Sequence, residues 1–321
     1  MALTGIQIYK LLPQTNCKDC GFPTCLAFAM KLAAKQIELS ACPHVSAESK
    51  SQLSESAAPP VRMITLKASG GEVKTGNEVV LFRHEKTFYH RPGLFVRVRD
   101  TDGADTINAV VSKANAYTVS YVGMDFTLDG FAVEGASGNP TTFAAAVAAV
   151  RAISKRPLIL ISADPAVIEA GLQKLSGETP LISGADANNW QAMAALASKY
   201  KTVLALTAGS LDGLADLTEK IKGQGVEDMV LHPAAATLGG SLALNTQIRR
   251  LAIKKNFRPL GYPILALCGD ADPAREAILA SQAIAKYAGF VVIDHFSPET
   301  VYSLLVLREN IYTDPQKPIQ V

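Results

Sequence analysis

Four of the five cysteines in this 321-residue chain are Cys17, Cys20, Cys25 and Cys42, spaced C-x2-C-x4-C-x16-C near the N-terminus. Thiols crowded in this way, in a chain otherwise almost free of cysteine, can form disulfides, bind zinc or hold an iron–sulfur cluster. The opening residues lack the charged and apolar segments of a secretory leader, so a reducing, cytoplasmic setting is expected and disulfides are disfavoured. Zinc ordinarily takes paired C-x2-C units or Cys/His knuckles, whereas Cys25 and Cys42 lie far apart. A 4Fe–4S cubane accepts three thiolates from one tight loop and a fourth from a distance, often before a proline, as in Cys42-Pro43. The cubane fits best, with zinc and disulfides as the alternatives, and electron transfer is the chemistry it implies.

The neighbours suit that role. Gly21 can take the backbone angles of a tight loop and bare its amide to the sulfides. Pro23 reads as a first helical residue, with Leu26 to Gln36 continuing as good helix. Cys25 then falls in the first turn, where the positive end of the helix dipole favours an anionic group. Ile6, Leu11, Leu12, Phe28 and Leu32 are expected to shield the site from water. A segment of this size buries too little surface to be stable alone, and a metal centre would help hold it.

The rest of the chain must support this module. Hydrophobic residues make up 48% and charged residues 19%, with a net charge of +2. That composition indicates a large apolar core and gives no reason to expect a nucleic-acid partner or a membrane span. Ser46 to Pro60, rich in Ser, Ala, Glu and Pro, reads as a linker that would let the module move independently. Residues 58–92 read as a connecting segment of short antiparallel strands, with Met63–Leu66 and Val79–Phe82 flanking paired glycines. The expected domains are thus 1–57, the cluster module with its linker; 58–92, the connector; 93–313, the large domain; and 314–321, a proline-punctuated run resembling the start of another linker.

Within 93–313, apolar runs alternate with amphipathic helical stretches. The strand candidates are Leu94–Val98, Phe131–Glu134, Leu158–Ile161, Leu181–Ser183, Val203–Leu206, Met229–Leu231, Ile264–Leu267 and Val291–Ile293. Helices such as Thr141–Ser154, Trp190–Tyr200, Leu211–Lys222, Pro273–Tyr287 and Pro298–Asn310 follow most of them. Eight such units predict an α/β fold, a closed (β/α)8 TIM barrel, with the small, mainly helical 4Fe–4S domain before it. Signals mix only between Asp105 and Asp129.

Polar residues just past these strands would line the ligand-binding face of such a barrel. They are Arg99, Asp100, Glu134, Ser162, Asp164, Ser183, Asp186, Asn188, Thr207, His232, Cys268, Asp270, Asp294 and His295. Several suit helix caps instead, notably Asp164-Pro165, Asp272-Pro273 and Ser297-Pro298. Gly239-Gly240-Ser241 is only a weak phosphate cradle, and Cys268 reads as a buried strand-end residue. No catalytic pairing is recognisable among these residues.

The run Leu12-Pro13-Gln14-Thr15-Asn16-Cys17-Lys18-Asp19-Cys20-Gly21-Phe22-Pro23-Thr24-Cys25, followed by Ala41-Cys42-Pro43, resembles the large (gamma) subunit of the corrinoid iron–sulfur protein of the reductive acetyl-CoA pathway. The similarity continues through Pro59-Pro60-Val61, Leu81 to Tyr89, Leu181-Ile182 and Val230-Leu231-His232-Pro233, and so covers essentially the whole chain. The resemblance implies a heterodimer with a small subunit that carries a methyl group on the cobalt of a cobamide. The methyl comes from methyltetrahydrofolate through a methyltransferase and goes to acetyl-CoA synthase/CO dehydrogenase. The cluster, carried over to Cys17, Cys20, Cys25 and Cys42, implies an electron supply for reactivating cobalt, with a reductive activator as a further partner. The barrel is implied to be scaffold and interface, so the chain is a methyl carrier component rather than a catalyst on its own, and no catalytic residues carry over. In that family a corrinoid-binding domain follows the barrel, and the D-x-H-x-x-G pattern of other cobalamin domains is missing here. Cobamide is therefore expected in the full assembly rather than on these residues. The competing classes are a pterin-dependent barrel methyltransferase fused to a cluster and a plain electron-transfer subunit.

Overall fold

A computed structural model describes residues 4–34, 36–50, 53 and 59–314. The chain divides into two compact units, Met1–Pro59 and Pro60–Val321.

In the first unit, helix α1 (Gly5–Leu11) opens with a capping box. The Thr4 hydroxyl accepts from the Gln7 amide, and Gln7 Oε1 accepts in return from the Thr4 amide at 2.8 Å. Helix α2 spans Cys25–Ala33, and a 3-10 turn covers Leu39–Ala41. The unit's apolar core joins Ile8, Leu12, Phe28, Ala29, Val45 and Leu53 to Cys25 and Cys42. Several expectations change here. Thr24 is the N-cap of α2, so Pro23 lies outside the helix, and the helix stops at Ala33 rather than Gln36. Ile6 faces solvent and Ile8 fills the interior instead, while Leu11 and Leu32 are half-buried. Within the expected linker, residues 47–50 are helical and Leu53 is buried. Its stretch 51–52 and 54–58, and the tail 315–321, lie outside the described residues.

The second unit begins with a hairpin, β1 (Ile64–Ala68) and β2 (Gly71–Thr75), paired in antiparallel register with Ala68 opposite Gly71. The expected partner strand at Val79–Phe82 does not form. Positive φ at Gly76 and Asn77 ends β2, and the Val80 carbonyl accepts from the Arg249 guanidinium at 3.0 Å instead of from a strand.

All eight expected strands then form a closed parallel barrel: β3 (Gly93–Arg99), β6 (Gly130–Glu134), β7 (Leu158–Ile161), β8 (Leu181–Ala185), β9 (Val203–Ala208), β10 (Met229–Pro233), β11 (Ile264–Leu267) and β12 (Ala288–Ile293). Neighbours run in sequence order and β12 pairs with β3, with Phe95 opposite Gly130 across the β3–β6 seam. The ambiguous stretch resolves into helix α3 (Ala104–Ala116) and a second hairpin, β4 (Thr118–Tyr121) with β5 (Met124–Thr127). The outer ring continues with α4 (Pro140–Ile153), α5 (Pro165–Leu172), α6 (Trp190–Tyr200), α7 (Leu211–Lys222), α8 (Leu238–Lys254), α9 (Pro273–Ala285) and α10 (Pro298–Tyr312).

Side chains at alternate strand positions point to opposite faces. Phe95, Ala132, Ile159, Leu181, Val203 and Phe290 fill the barrel interior, and Ile64, Leu66 and Val73 of the first hairpin pack into the same cluster. The hairpin meets the chain just ahead of the strands. Gly70 N–H donates to the Lys155 carbonyl at 2.8 Å and Lys67 N–H to the Thr179 carbonyl at 3.2 Å. It therefore stops the end of the barrel opposite the ligand-binding face. At that same end, buried Arg308 of α10 donates to the Pro92 carbonyl and to Asp129, whose carboxylate accepts from Leu94 N–H at 2.8 Å.

Candidate functional site

The four N-terminal cysteines sit on a loop whose backbone is unusual. Gln14, Asn16 and Lys18 have φ of 58°, 50° and 71°, and Gly21 has 80°. For L-residues such angles cost about 1–2 kcal/mol each, and they persist where the surroundings over-determine them. Gly21 N–H donates to the Lys18 carbonyl at 2.8 Å, closing the turn that presents Cys17 and Cys20. The Asn16 carbonyl oxygen accepts from Cys25 N–H at 2.8 Å, and the Thr24 hydroxyl accepts from Ala27 N–H at 3.1 Å. These bonds fix Cys25 at the first position of α2, as expected.

Exposure is graded across the set: Cys25 and Cys42 are buried, Cys20 is intermediate and Cys17 is exposed. Phe22 meets Phe28 edge-on at 5.8 Å beside them. A single tetrahedral zinc would hold its sulfurs about 3.8 Å apart, given Zn–S bonds of about 2.3 Å. Among the described residues no three of these four sulfurs converge within 4.8 Å, whereas Cys17, Asp19 and His44 do. A donor set of four cysteines is the kind that holds a polynuclear cluster, whose thiolates bind different irons. Asp19, hydrogen-bonded by His44 at 2.6 Å and by Cys17, is held below the usual carboxylate range.

At the ligand-binding mouth of the barrel, the structure gathers some of the expected residues and adds two. Arg97 follows Phe95 by one pleat, so both face the axis, and Arg99 follows again. Arg97 grips Asp294 with two bonds of 2.7 and 2.8 Å, and Arg99 donates to the same carboxylate at 2.6 Å. Glu134 lies 3.4 Å from Arg97 and 3.1 Å from Arg99. Burial alone would raise Asp294, but the hydrogen bonds from Arg97 and Arg99 hold it below the usual carboxylate range. Fully buried Glu276 of α9 accepts from the amides of Asp294 and His295 at 2.9 and 3.0 Å. Arg97 and Glu276 were not among the expected residues. Strand alternation could have revealed Arg97, whereas Glu276 sits inside a helix with no such signal.

The remaining residues serve local structure. Asp164, Asp272 and Ser297 cap their helices as expected, accepting from Ala166, Ala274 and Thr300 amides. Thr237 caps α8 by accepting from Gly240 N–H, so the glycine pair there belongs to a capped helix start. Asp100 accepts from the Ser137 amide and hydroxyl. Asp186 accepts from the Asn188 amide at 2.7 Å in a local turn, and the Ser162 hydroxyl accepts from the Asp164 amide at 3.1 Å. Asp270 pairs with Arg275 at 3.2 Å, and Ser183 is buried on β8 between Ile161 of β7 and Ala205 of β9. His232 contacts the Thr207 hydroxyl at 3.3 Å, and burial pushes its imidazole down to about 4. Burial, with Glu276 and Asp294 nearby, pushes the Cys268 thiol up to about 12, leaving it unreactive near neutral pH. At the mouth Arg97 and Arg99 thus face carboxylates, and burial keeps the Cys268 thiol protonated near neutral pH.

Two family matches divide the chain. Residues 63–321 match the family described as CO dehydrogenase/acetyl-CoA synthase delta subunit, and residues 12–44 match one described as "Putative Fe-S cluster". The corrinoid/iron-sulfur protein large subunit of Moorella thermoacetica is 41% identical over 321 residues, 100% of this chain and 72% of that protein. The acetyl-CoA decarbonylase/synthase complex subunit gamma 1 of Methanosarcina mazei is 34% identical, with 98% of this chain and 71% of that protein aligned. Among solved structures, 7,8-dihydropteroate synthase of Vibrio fischeri superposes with a TM-score of 0.55 at 12% identity, covering 78% of this chain and 100% of that one. The Thermus thermophilus dihydropteroate synthase gives 0.53 at 16% identity, covering 79% and 100%. These two likenesses are of the barrel fold.

Proposed function

The chain belongs to the corrinoid/iron–sulfur protein large-subunit family, which includes gamma subunits of acetyl-CoA decarbonylase/synthase complexes, and from that premise we propose that it is the electron-supplying and scaffolding subunit of a methyl carrier. Its 4Fe–4S cluster is held by Cys17, Cys20, Cys25 and Cys42. The observation that carries this reading is the cysteine loop itself, with graded thiol burial, left-handed backbone at Gln14, Asn16, Lys18 and Gly21, and a helix N-terminus at Cys25. When bound, the cluster supplies single electrons that return oxidised cobalt of the assembly's cobamide to its methyl-accepting state. The chain's own residues provide the setting. Cys25 and Cys42 anchor the buried side, the helix N-terminus at Cys25 offsets negative charge, and exposed Cys17 marks the side open to solvent.

In this proposal the methyl group arrives from methyltetrahydrofolate through a methyltransferase and leaves to acetyl-CoA synthase/CO dehydrogenase. The small subunit pairs with this one, and a reductive activator supplies electrons. The cobamide belongs to the assembly and not to the barrel mouth, whose charged groups are already paired. The test is cobalt reduction in the assembly with partner subunit and cobamide, followed by absorption under anaerobic conditions. Replacing Cys25 or Cys42 by alanine should abolish cobalt reduction by the reductive activator while methyl uptake by chemically reduced cobalt persists. Methyl transfer from methyltetrahydrofolate by this chain alone, without cobamide or partner, would contradict the proposal and favour a barrel enzyme.

A further inference from the structure

Cys17, Asp19 and His44 bring one sulfur, one oxygen and one nitrogen donor within 4.8 Å of one another, and all three residues are exposed. The set joins the two halves of the cysteine motif, because Cys17 and Asp19 come from its first turn and His44 follows its last cysteine. Thiolate, imidazole and carboxylate together suit zinc among the common divalent ions. With bonds of about 2.0–2.3 Å, a tetrahedral zinc needs its donors about 3.3–3.8 Å apart. All three donors already lie within 4.8 Å of one another. The Asp19–His44 contact at 2.6 Å must open slightly, which side chains 54% and 49% exposed can do by rotation about their own bonds. Water would fill the fourth position.

We propose that in the cluster-free chain Cys17, Asp19 and His44 form a mononuclear zinc site that competes with cluster assembly for Cys17. The proposal rests on Cys17 being a cluster ligand, since only then does zinc bound there withhold one of the four thiolates. Cys17 is the exposed member of the cysteine set, so an ion arriving from solvent meets this trio before the buried Cys25 and Cys42. Asp19 and His44 then have a use that the cluster reading leaves unassigned: they choose which metal species the empty loop takes first.

The test uses the full chain, purified anaerobically and stripped with a chelator, with zinc as the probe and cobalt(II) as its spectroscopic substitute. Wild type should bind one zinc, and bound cobalt(II) should show tetrahedral bands with a single-thiolate charge-transfer feature. Cys42→Ala should bind equally well, whereas His44→Ala and the shape-preserving Asp19→Asn should each weaken binding at least tenfold. One equivalent of zinc should slow cluster loading from iron and sulfide in wild type but not in His44→Ala, which should still load. Zinc held as tightly by His44→Ala as by wild type but lost in Cys42→Ala would place the ion on the four cysteines and overturn the site. Loss of both zinc and cluster in His44→Ala would also overturn it, since the contact would then only shape the loop. Failure of zinc-free wild type to load any cluster would count against the cluster reading itself, separately from these outcomes.

Discussion

Asp294 receives three hydrogen bonds from two arginines, and its side chain is only 10% exposed. Removing Asp294 would leave Arg97 and Arg99 with Glu134 as their one remaining carboxylate, and breaking a buried pair typically costs about 3–5 kcal/mol. Asp294→Ala should therefore lower barrel stability by that order, read from denaturant midpoints, while exposed Asp212→Ala changes it little. The same carboxylate links stability to pH. Its folded value lies below its unfolded one, so its contribution is complete above the unfolded carboxylate range and disappears as pH falls through the folded value. Acid titration of stability should show a loss below about pH 4 that is smaller in Asp294→Asn. An unchanged acid profile in that variant would show that the arginines do not set the behaviour of this group. The arginines also limit their neighbours: a Cβ on Gly269 would meet Arg97 Nη2 and the Asp294 carboxyl at 2.5 Å.

At the scale of elements, the barrel depends on caps and on close strand contacts. Asp272 and Ser297 each satisfy an amide that starts a helix, and alanine at either should cost about 1 kcal/mol. Gly184 sits in β8 with φ of 127° where the β8–β9 register shifts, and a Cβ there would lie 2.1 Å from the Ser162 carbonyl oxygen. Gly184→Ala should therefore destabilise the barrel more than either cap variant, and a smaller loss in thermal unfolding would show that the bulge relaxes easily.

These elements also show what the chain's residues disclose on their own. The eight barrel strands were legible because runs such as Leu158–Ile161 are apolar throughout, as strands buried on both faces must be. The proline-led caps were legible because Asp or Ser before Pro has few other uses. The second strand of the first hairpin was not, since Glu72, Lys74 and the glycines disguise Gly71–Thr75, while Val79–Phe82 looks more like strand. That segment's course is set by Arg249 of α8, which lies far away in sequence and packs over Phe88 and Tyr287. In the candidate site the cysteines announced themselves by spacing. The left-handed Gln14 and Lys18 did not, because neither residue type favours that conformation.

The whole molecule combines a small unit with its own core and a barrel whose interior is filled from end to end. No helix among the described residues is long and apolar enough to cross a membrane. The barrel's fold is shared with dihydropteroate synthases, yet its mouth is occupied by Arg97, Arg99, Glu134 and Asp294 bound to one another. In the proposed reading that ion-paired cluster belongs to a supporting body, and the N-terminal cysteines are where chemistry is concentrated. The decisive measurement is the iron, sulfide and zinc content of the anaerobically prepared full chain, together with its spin-resonance spectrum after reduction. About four irons and four sulfides per chain, with a reduced 4Fe–4S signal lost or converted in Cys17, Cys20, Cys25 or Cys42 alanine variants and unchanged in Cys268→Ala, is the expected result. Stoichiometric zinc with no iron, or a cluster that survives all four replacements, would contradict it.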